Sequence, residues 1–379
     1  MKPNARRMIA LAVISGACLN GAVRTIAVSN DEVAEATAMM SSYEAQKKAA
    51  AAAREKDAAW KPACDEVGLI QVGDSETRGA LKNFCLNAEG NILACFAPKD
   101  SAKSDAKNAP GIRVYSPKGE LLRTLPLDIK PGAICVAKDG SIFVAGDGQV
   151  LKLDANGKVL ASAASPVAGV PAVVTKEMED MLKESGRPIK EEKERMLASL
   201  ERRRADVTGL AVTDQDVFMA VPTPNDFTYQ VHRFDLALQN PKLVVEKLRG
   251  CCGQMDIQAH DGNLWIPHNA RHCVESRDRD GNQLAKFGKA GKVKADDFGG
   301  CCEPKNMRVL PNGDILAAES GPPTCIKRFS ADGKFLGVVA VVNGKGDCVR
   351  VTVEANADGS QFYMLDTTRD AIRIFGSKS

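Results

Sequence analysis

From residue 66 onward the chain consists of short stretches in which apolar and polar residues alternate, separated by glycine-containing turns. Alternation with a period of two predicts half-buried β-strands, and Asp-Gly or Asn-Gly between two such stretches predicts a hairpin, as in "MRVLPNGDILAAES". The pattern repeats at about 40–50 residues, which is typical of repeat architectures. The aligned turns are Glu89-Gly90-Asn91, Asp139-Gly140-Ser141, Asp261-Gly262-Asn263, Asn312-Gly313-Asp314 and Asp358-Gly359-Ser360.

Each repeat is long enough for four strands, which make one blade of a propeller. We therefore predict an all-β fold, a six-bladed β-propeller that occupies residues 64–379. The third unit has Thr213-Asp214-Gln215-Asp216 in place of a glycine turn, and the sixth lacks an outer strand. We expect residues 66–74 to supply that strand and close the ring, because closure removes open sheet edges. The predicted blades are 80–126, 127–165, 206–249, 250–298, 299–340 and 341–379.

Two segments depart from the strand pattern and predict helices. Residues 25–63 are rich in Ala, Glu and Lys, contain no Gly or Pro between 31 and 60, and predict an N-terminal helix in a solvated stalk that ends before Pro62. Residues 166–205 predict a helical insertion of two helices broken at Gly186 and Pro188. This insertion either packs on the surface of the ring or covers its channel as a lid.

The first 24 residues have the features of an export signal. Arg6 and Arg7 precede a short run of small apolar residues from Met8 to Cys18. We expect an exported protein: periplasmic, on the cell surface or extracellular. Cys18 leaves open a lipoprotein signal, and an uncleaved segment would attach the chain to a membrane.

The repeat units resemble those of the NHL-repeat family of propellers. The unit "GCCEPKNMRVLPNGDILAAESGPPTCIKRFSADGKFLGVV" carries the order of strands and turns on which this resemblance rests, and the resemblance covers most of residues 80–379. It implies the architecture more specifically than an activity, since the family includes enzymes, signalling proteins and binding scaffolds.

Composition and absent motifs narrow the function classes. Hydrophobic residues make up 44% and charged residues 26% of the chain, and the net charge is only +3, which gives no reason to expect a nucleic-acid partner. The sequence has no CxxCH haem motif, no Gly-x-Ser-x-Gly elbow, no P-loop and no dinucleotide fingerprint.

Twelve cysteines are the main chemical feature of the chain. Gly250-Cys251-Cys252 and Gly300-Cys301-Cys302 open two successive repeats in the same way, and each repeat has a further cysteine, Cys273 or Cys325. In an exported protein the default expectation is disulfides. Equivalent bridges within blades, Cys252–Cys273 and Cys302–Cys325, would close loops of about 20 residues. Vicinal bridges between adjacent cysteines are an alternative.

The intrablade bridges would leave Cys251, Cys301 and Cys348 at corresponding positions in adjacent blades. The predicted topology brings these thiols towards one rim, near His268 and His272, and thiolates with imidazoles are ligands for zinc or copper. We therefore predict a cysteine-rich face that binds metal. A Cys64–Cys348 bridge competes with this site because it would use Cys348.

A second candidate set lies at the ends of the second strands of the blades. Glu319 and Asp366 are found there with His268, and Asn306 is early in an inner strand. Oxygen ligands of this kind suit a divalent cation such as calcium.

These observations predict two alternative functions. The first is a binding scaffold with a cysteine-rich, disulfide-stabilised face for a protein or small-molecule ligand. The alternative is a metal-dependent lyase or hydrolase of the lactonase type, with its site at the channel mouth.

Overall fold

A computed structural model describes residues 30–74, 77, 79–98, 109–184, 188–251, 253–342 and 348–377. The predicted signal (1–24), Cys18 and Cys252 lie outside the described residues. The chain forms two compact units. The larger comprises Ala58–Val173 and Met196–Ser379, and the smaller comprises Val174–Arg195 with the described part of Met1–Asp57.

Helices form where the sequence predicted them. Helix α1 (Asn30–Glu55) covers the Ala-rich segment and ends before Pro62. Helices α2 (Lys176–Glu184) and α3 (Ile189–Arg204) form the insertion, and α3 begins directly after Pro188, whose fixed φ suits a helix start. Within the smaller unit an ion pair links Glu179 to Lys193. Among the described residues, no helix is both long and apolar enough to cross a membrane.

Six antiparallel four-stranded sheets, the blades, make up the larger unit and confirm the predicted fold. Blade 1 consists of β2 (Leu81–Leu86), β3 (Ile92–Phe96), β4 (Gly111–Tyr115) and β5 (Leu121–Pro126). Blade 2 consists of β6 (Ala133–Val136), β7 (Ile142–Gly146), β8 (Gln149–Leu153) and β9 (Val159–Ala164). Blade 3 consists of β10 (Gly209–Val212), β11 (Asp216–Pro222), β12 (Tyr229–Asp235) and β13 (Lys242–Leu248).

The remaining blades carry most of the cysteines of interest. Blade 4 consists of β14 (Gln258–His260), β15 (Asn263–His268), β16 (Cys273–Arg277) and β17 (Gln283–Phe287). Blade 5 consists of β18 (Asn306–Val309), β19 (Ile315–Glu319), β20 (Thr324–Phe329) and β21 (Phe335–Val342). Blade 6 consists of β22 (Val353–Ala355), β23 (Phe362–Asp366), β24 (Ala371–Ser377) and, from the start of the propeller, β1 (Cys64–Gln71).

The ring closes through β1, as the sequence predicted. This strand pairs antiparallel with β24, from Cys64 opposite Ser377 to Gln71 opposite Ala371. It lies slightly earlier than the predicted 66–74, because the backbone N–H groups of Val72 and Gly73 both turn to the carbonyl of Asp370 instead of continuing the ladder.

The core is a series of apolar layers between neighbouring blades rather than one central mass. The layer between blades 6 and 1, for example, contains Ile70, Phe84 and Tyr363, and equivalent layers fill the other seams. Polar bonds join the inner strands around the channel. The Val353 N–H donates to Asn306 Oδ1 (2.8 Å), and Thr352 Oγ1 donates to Asn83 Oδ1 (2.8 Å).

The turns between strands are stabilised by residues within the turns themselves or require glycine, which is why the turn motifs in the sequence predicted the hairpins. In blade 3, which lacks the glycine, Thr213 Oγ1 accepts a hydrogen bond from the Asp216 N–H (3.0 Å) and so stabilises the turn between β10 and β11. In the turn between β16 and β17 of blade 4, Gly281 has a φ of +90°, and a Cβ atom there would lie 1.8 Å from the Val244 carbonyl oxygen. Only glycine fits this position.

Candidate metal centre

The connections that enter the inner strands of blades 4, 5 and 6 carry four described cysteines. Cys251 lies between β13 and β14, Cys301 and Cys302 lie between β17 and β18, and Cys348 lies between β21 and β22. Each connection runs from an outer strand to the next inner strand, so all three emerge on the same rim of the propeller. The repeat thus brings together thiols that are far apart in sequence.

These four residues form a thiol cluster. The sulfur atoms of Cys251, Cys301 and Cys302 all lie within 4.8 Å of one another. Cys301 is central, with its Sγ 3.2 Å from that of Cys302 and 3.3 Å from that of Cys348. Cys302 is buried, Cys251 is half-buried, and Cys301 and Cys348 are exposed. Since thiolates are ligands for zinc and copper, the cluster offers a set of soft ligands that reaches from the interior to solvent.

A buried lysine adjoins the inner end of the cluster. Lys305, which is 0% exposed, places its Nζ 2.7 Å from Cys302 Sγ. A positive charge at this distance stabilises the thiolate over the thiol. The lysine therefore favours the form of Cys302 that binds metals and offsets part of the negative charge that several thiolates would bring together.

Glu303, between the cysteines and the lysine, is almost completely buried. Its Oε1 accepts hydrogen bonds from Ser320 Oγ and from the N–H groups of Ser320 and Gly321. Its Oε2 has no hydrogen-bond partner among the described residues. Burial, together with the neighbouring charge of Glu319, raises the pKa of Glu303 to about 8. The carboxyl group is thus held mainly as the neutral acid near pH 7.

A second buried charge pair lies in blade 5. Lys327 forms an ion pair with Glu319, and its Nζ also donates to the Asp297 carbonyl (2.6 Å). Burial is the largest influence and lowers the pKa of Lys327, but the charge and hydrogen bond of Glu319, together with the charges of Cys325 and Glu303, outweigh burial, so that the pKa is raised. Trp60 packs over the ammonium, 4.8 Å from the ring centroid, and donates from its indole to the Val293 carbonyl. The start of the larger unit thus covers this ion pair.

The two histidines that were predicted as co-ligands differ in their surroundings. The Nδ1 atom of His268 lies 3.0 Å from Glu275 Oε1, and its Nε2 atom accepts a hydrogen bond from the Arg249 N–H (2.9 Å). Both ring nitrogens are therefore engaged. Its sulfur neighbour is Cys273, which belongs to a separate buried group with Glu275. In His272, which is half-buried, burial lowers the pKa, and Nδ1 has no hydrogen-bond partner among the described residues.

The structure does not bring the predicted oxygen ligands into one group with His268. Glu319 is paired with Lys327, and Asp366 accepts from the Arg373 side chain (2.9 Å). Asn306 donates to Asp256 and accepts from the Val353 N–H, which joins inner strands. Among the described acidic residues, only Glu275 lies close enough to His268 to share a metal ion with it.

The predicted intrablade disulfides are not observed. No disulfide bond joins two described cysteines, so Cys302 and Cys325 are not bridged. Cys302 instead turns to Cys301 and Lys305, whereas Cys325 lies in β20 opposite Glu319. The Cys252–Cys273 pairing falls outside the described residues through Cys252, and Cys273 is 3.8 Å from Glu275 Oε1. Cys348 lies beside Cys301, and no bond joins it to Cys64.

Sequence reasoning identified three members of the thiol cluster and missed its inner part. It placed Cys251, Cys301 and Cys348 near one another but assigned Cys302 to a disulfide. It also missed Lys305 and Glu303, because charged residues in loops are usually exposed and the sequence pattern gives no sign that these two are buried. The one available signal was proximity, since both lie within three residues of Cys302.

Comparison with known proteins supports the fold alone. No family model matches the chain and no curated protein matches it. Among solved structures, a structural-genomics protein of unknown function from Bacteroides thetaiotaomicron is 13% identical, with a TM-score of 0.50 over 83% of this chain and 73% of that one. A chain of the mitotic checkpoint complex is 10% identical, with a TM-score of 0.50 over 95% and 100%.

The solved structures that match with a lower TM-score include an enzyme. A catalytically inactive virginiamycin B lyase from Staphylococcus aureus, with quinupristin, is 10% identical, with a TM-score of 0.47 over 82% of this chain and 99% of that one. The six-bladed propeller predicted from the repeats is confirmed, whereas membership of the NHL-repeat family stays a prediction.

Proposed function

We propose that this protein is an exported binding propeller whose thiol cluster holds one thiophilic metal ion, zinc or copper(I). The proposal rests on one observation: cysteines from three separate connections converge, because the sulfurs of Cys251, Cys301 and Cys302 lie within 4.8 Å of one another and that of Cys348 lies 3.3 Å from Cys301 Sγ. A calcium ion is disfavoured because calcium takes oxygen ligands and the cluster offers sulfur.

The surroundings of the cluster support metal binding rather than disulfide stapling. The Lys305 ammonium favours a thiolate at Cys302 and reduces the repulsion among anionic ligands. Cys301 and Cys348 are exposed, which gives a metal a route in and leaves part of its coordination shell open to a ligand or partner on the same face. The first 24 residues support the export part of the proposal.

The metal-dependent lyase or hydrolase receives less support. Its proposed ligands, Glu319, Asp366 and Asn306, are each engaged by a lysine, an arginine or a neighbouring strand. Rearranging them around a cation would break these contacts, whereas the sulfur atoms of the thiol cluster already lie close together.

The test is metal binding by the reduced protein. We expect one zinc or copper(I) ion per chain by elemental analysis, and at least a tenfold loss of affinity in C251S, C301S and C302S. C135A is the matched control, because Cys135 lies in the inner strand of blade 2. Reduced, folded protein that binds neither metal would overturn the proposal, as would C301S that binds as tightly as the wild type.

A further inference from the structure

The two exposed members of the thiol cluster form a pair of their own. Cys301 and Cys348 lie on different connections, 47 residues apart in sequence, yet their sulfur atoms are 3.3 Å apart. We propose that these two cysteines carry a second activity at this face: thiol–disulfide exchange, in which they are oxidised to one disulfide while an external disulfide is reduced.

Geometry favours Cys348 over Cys302 as the partner of Cys301. Disulfide-linked residues usually have Cα atoms 4.4–6.8 Å apart, whereas adjacent residues joined by a trans peptide have Cα atoms about 3.8 Å apart. A Cys301–Cys302 bridge is therefore strained. Cys302 is also buried against Lys305, out of reach of an external disulfide. Cys348 is exposed and is not a sequence neighbour of Cys301.

The exchange takes two steps that balance in atoms and electrons. The thiolate of one cysteine attacks a sulfur of the external disulfide, whose S–S bond breaks and releases one half as a thiolate that takes up a proton. The second cysteine, 3.3 Å away, loses its proton and attacks the protein sulfur of the mixed disulfide. That bond breaks and releases the other half as a thiol. The protein has lost two electrons and two protons, which the external disulfide has gained, and a dithiol reductant reverses the process.

This exchange does not require metal, but its relation to metal rests on the proposed function. Cys301 and Cys348 are also proposed metal ligands, and a thiolate that enters a disulfide no longer binds metal. Exchange and metal binding therefore compete for the same two sulfur atoms.

The test uses fully reduced, metal-free protein of the full chain, incubated without oxygen with oxidised glutathione and quenched in acid. Intact mass and disulfide mapping should show one intramolecular bond, Cys301–Cys348, in the wild type and in the C135A control. C301S should stop at a stable glutathione adduct on Cys348, since its resolving sulfur is gone.

Three results would overturn this inference: a principal disulfide between other cysteines, a wild type that accumulates only the glutathione adduct, or C301S that clears its adduct as fast as the wild type. Metal titration of the reduced and oxidised forms separates the two proposals. We expect oxidation to lower metal affinity at least tenfold. Exchange in a protein that binds neither zinc nor copper(I) would refute the proposed function alone. Metal binding without the Cys301–Cys348 bond would refute the exchange alone.

Discussion

Two buried glutamates, Glu275 and Glu303, have pKa values shifted in opposite directions by their surroundings. Burial raises the pKa of Glu275, but hydrogen bonds from His268 and Arg277 more than offset burial and hold the pKa at about 2. Glu303 is deeper and has Glu319 nearby, so its pKa rises to about 8. Glu275 is thus a permanent anion that needs its cationic and hydrogen-bonding partners, whereas Glu303 is a neutral acid near pH 7.

Glu303 should make stability depend on pH in metal-free protein. Its folded pKa lies above the unfolded value, so the folded state binds the extra proton, and stability falls as the pH rises from about 4.5 to about 8. E303Q carries no such proton. The melting temperature of E303Q minus that of the wild type should therefore increase by several degrees across this window. Parallel melting curves for the two proteins from pH 4 to pH 9 test this, and a constant difference would contradict it.

His268 should act in stability rather than in metal binding. H268A leaves the Arg249 N–H without its acceptor and removes one partner of the buried Glu275 carboxylate, which should cost about 3 kcal/mol. Urea unfolding measures this loss, and metal affinity should change less than twofold. H260A is the control, since the ion pair of His260 is with the exposed Asp261 and its loss should cost less than about 1 kcal/mol. Lost metal at unchanged stability would make His268 a ligand instead.

At the scale of elements, β1 decides whether the ring is closed. It comes from the start of the propeller, pairs with β24 from the end of the chain, and contributes Ile70 to the apolar layer between blades 6 and 1. The strand was predicted because the sixth unit lacks an outer strand and closing the ring removes open sheet edges. Its exact limits were not predicted, since they depend on where Asp370 diverts the backbone of Val72 and Gly73.

Ile70 and Leu69 provide a matched test of this closure, because neighbouring residues of a strand face opposite sides. Ile70 is 3% exposed and Leu69 is 44% exposed. I70D places an unpaired charge between two blades and should cost more than about 3 kcal/mol, whereas L69D should cost less than about 1 kcal/mol. Both are measured by urea unfolding of the full chain. Equal losses in the two variants would show that β1 does not seal the ring.

At the scale of the whole molecule, the thiol cluster joins the connections into blades 4, 5 and 6. A metal held there would link three blades at once and would favour the folded state by mass action. Adding one equivalent of zinc or copper(I) to reduced protein should slow amide exchange in residues 249–251, 253–257, 299–305 and 348–352 together. The connection 127–132, between blades 1 and 2, should not change. Protection confined to a single connection would argue against a shared site.

The control for that measurement is C301S, which removes the central sulfur of the cluster. Its exchange pattern should be insensitive to the metal at all three connections. A C301S variant that is still protected at blades 4, 5 and 6 would place the metal elsewhere.

The sequence by itself determined the architecture, because a propeller repeats one local pattern. Alternating strands, glycine turns and a constant period are short-range properties, and even the Thr213–Asp216 turn is stabilised within four residues. The convergence of Cys251, Cys301 and Cys348 followed from the same repeat, since corresponding positions in adjacent blades meet on one rim.

Only the tertiary structure decided which side chains are buried together and what each contacts. The sulfur of Cys302 was free in principle to bridge to Cys325, but the fold turns it to Cys301 and Lys305. Glu319, Asp366 and His268 looked like ligands at equivalent strand ends, yet each meets a different partner from a neighbouring strand or loop. The reason is physical: the period places a residue on a rim, while the direction of a side chain and its charge state depend on neighbours that no local pattern specifies.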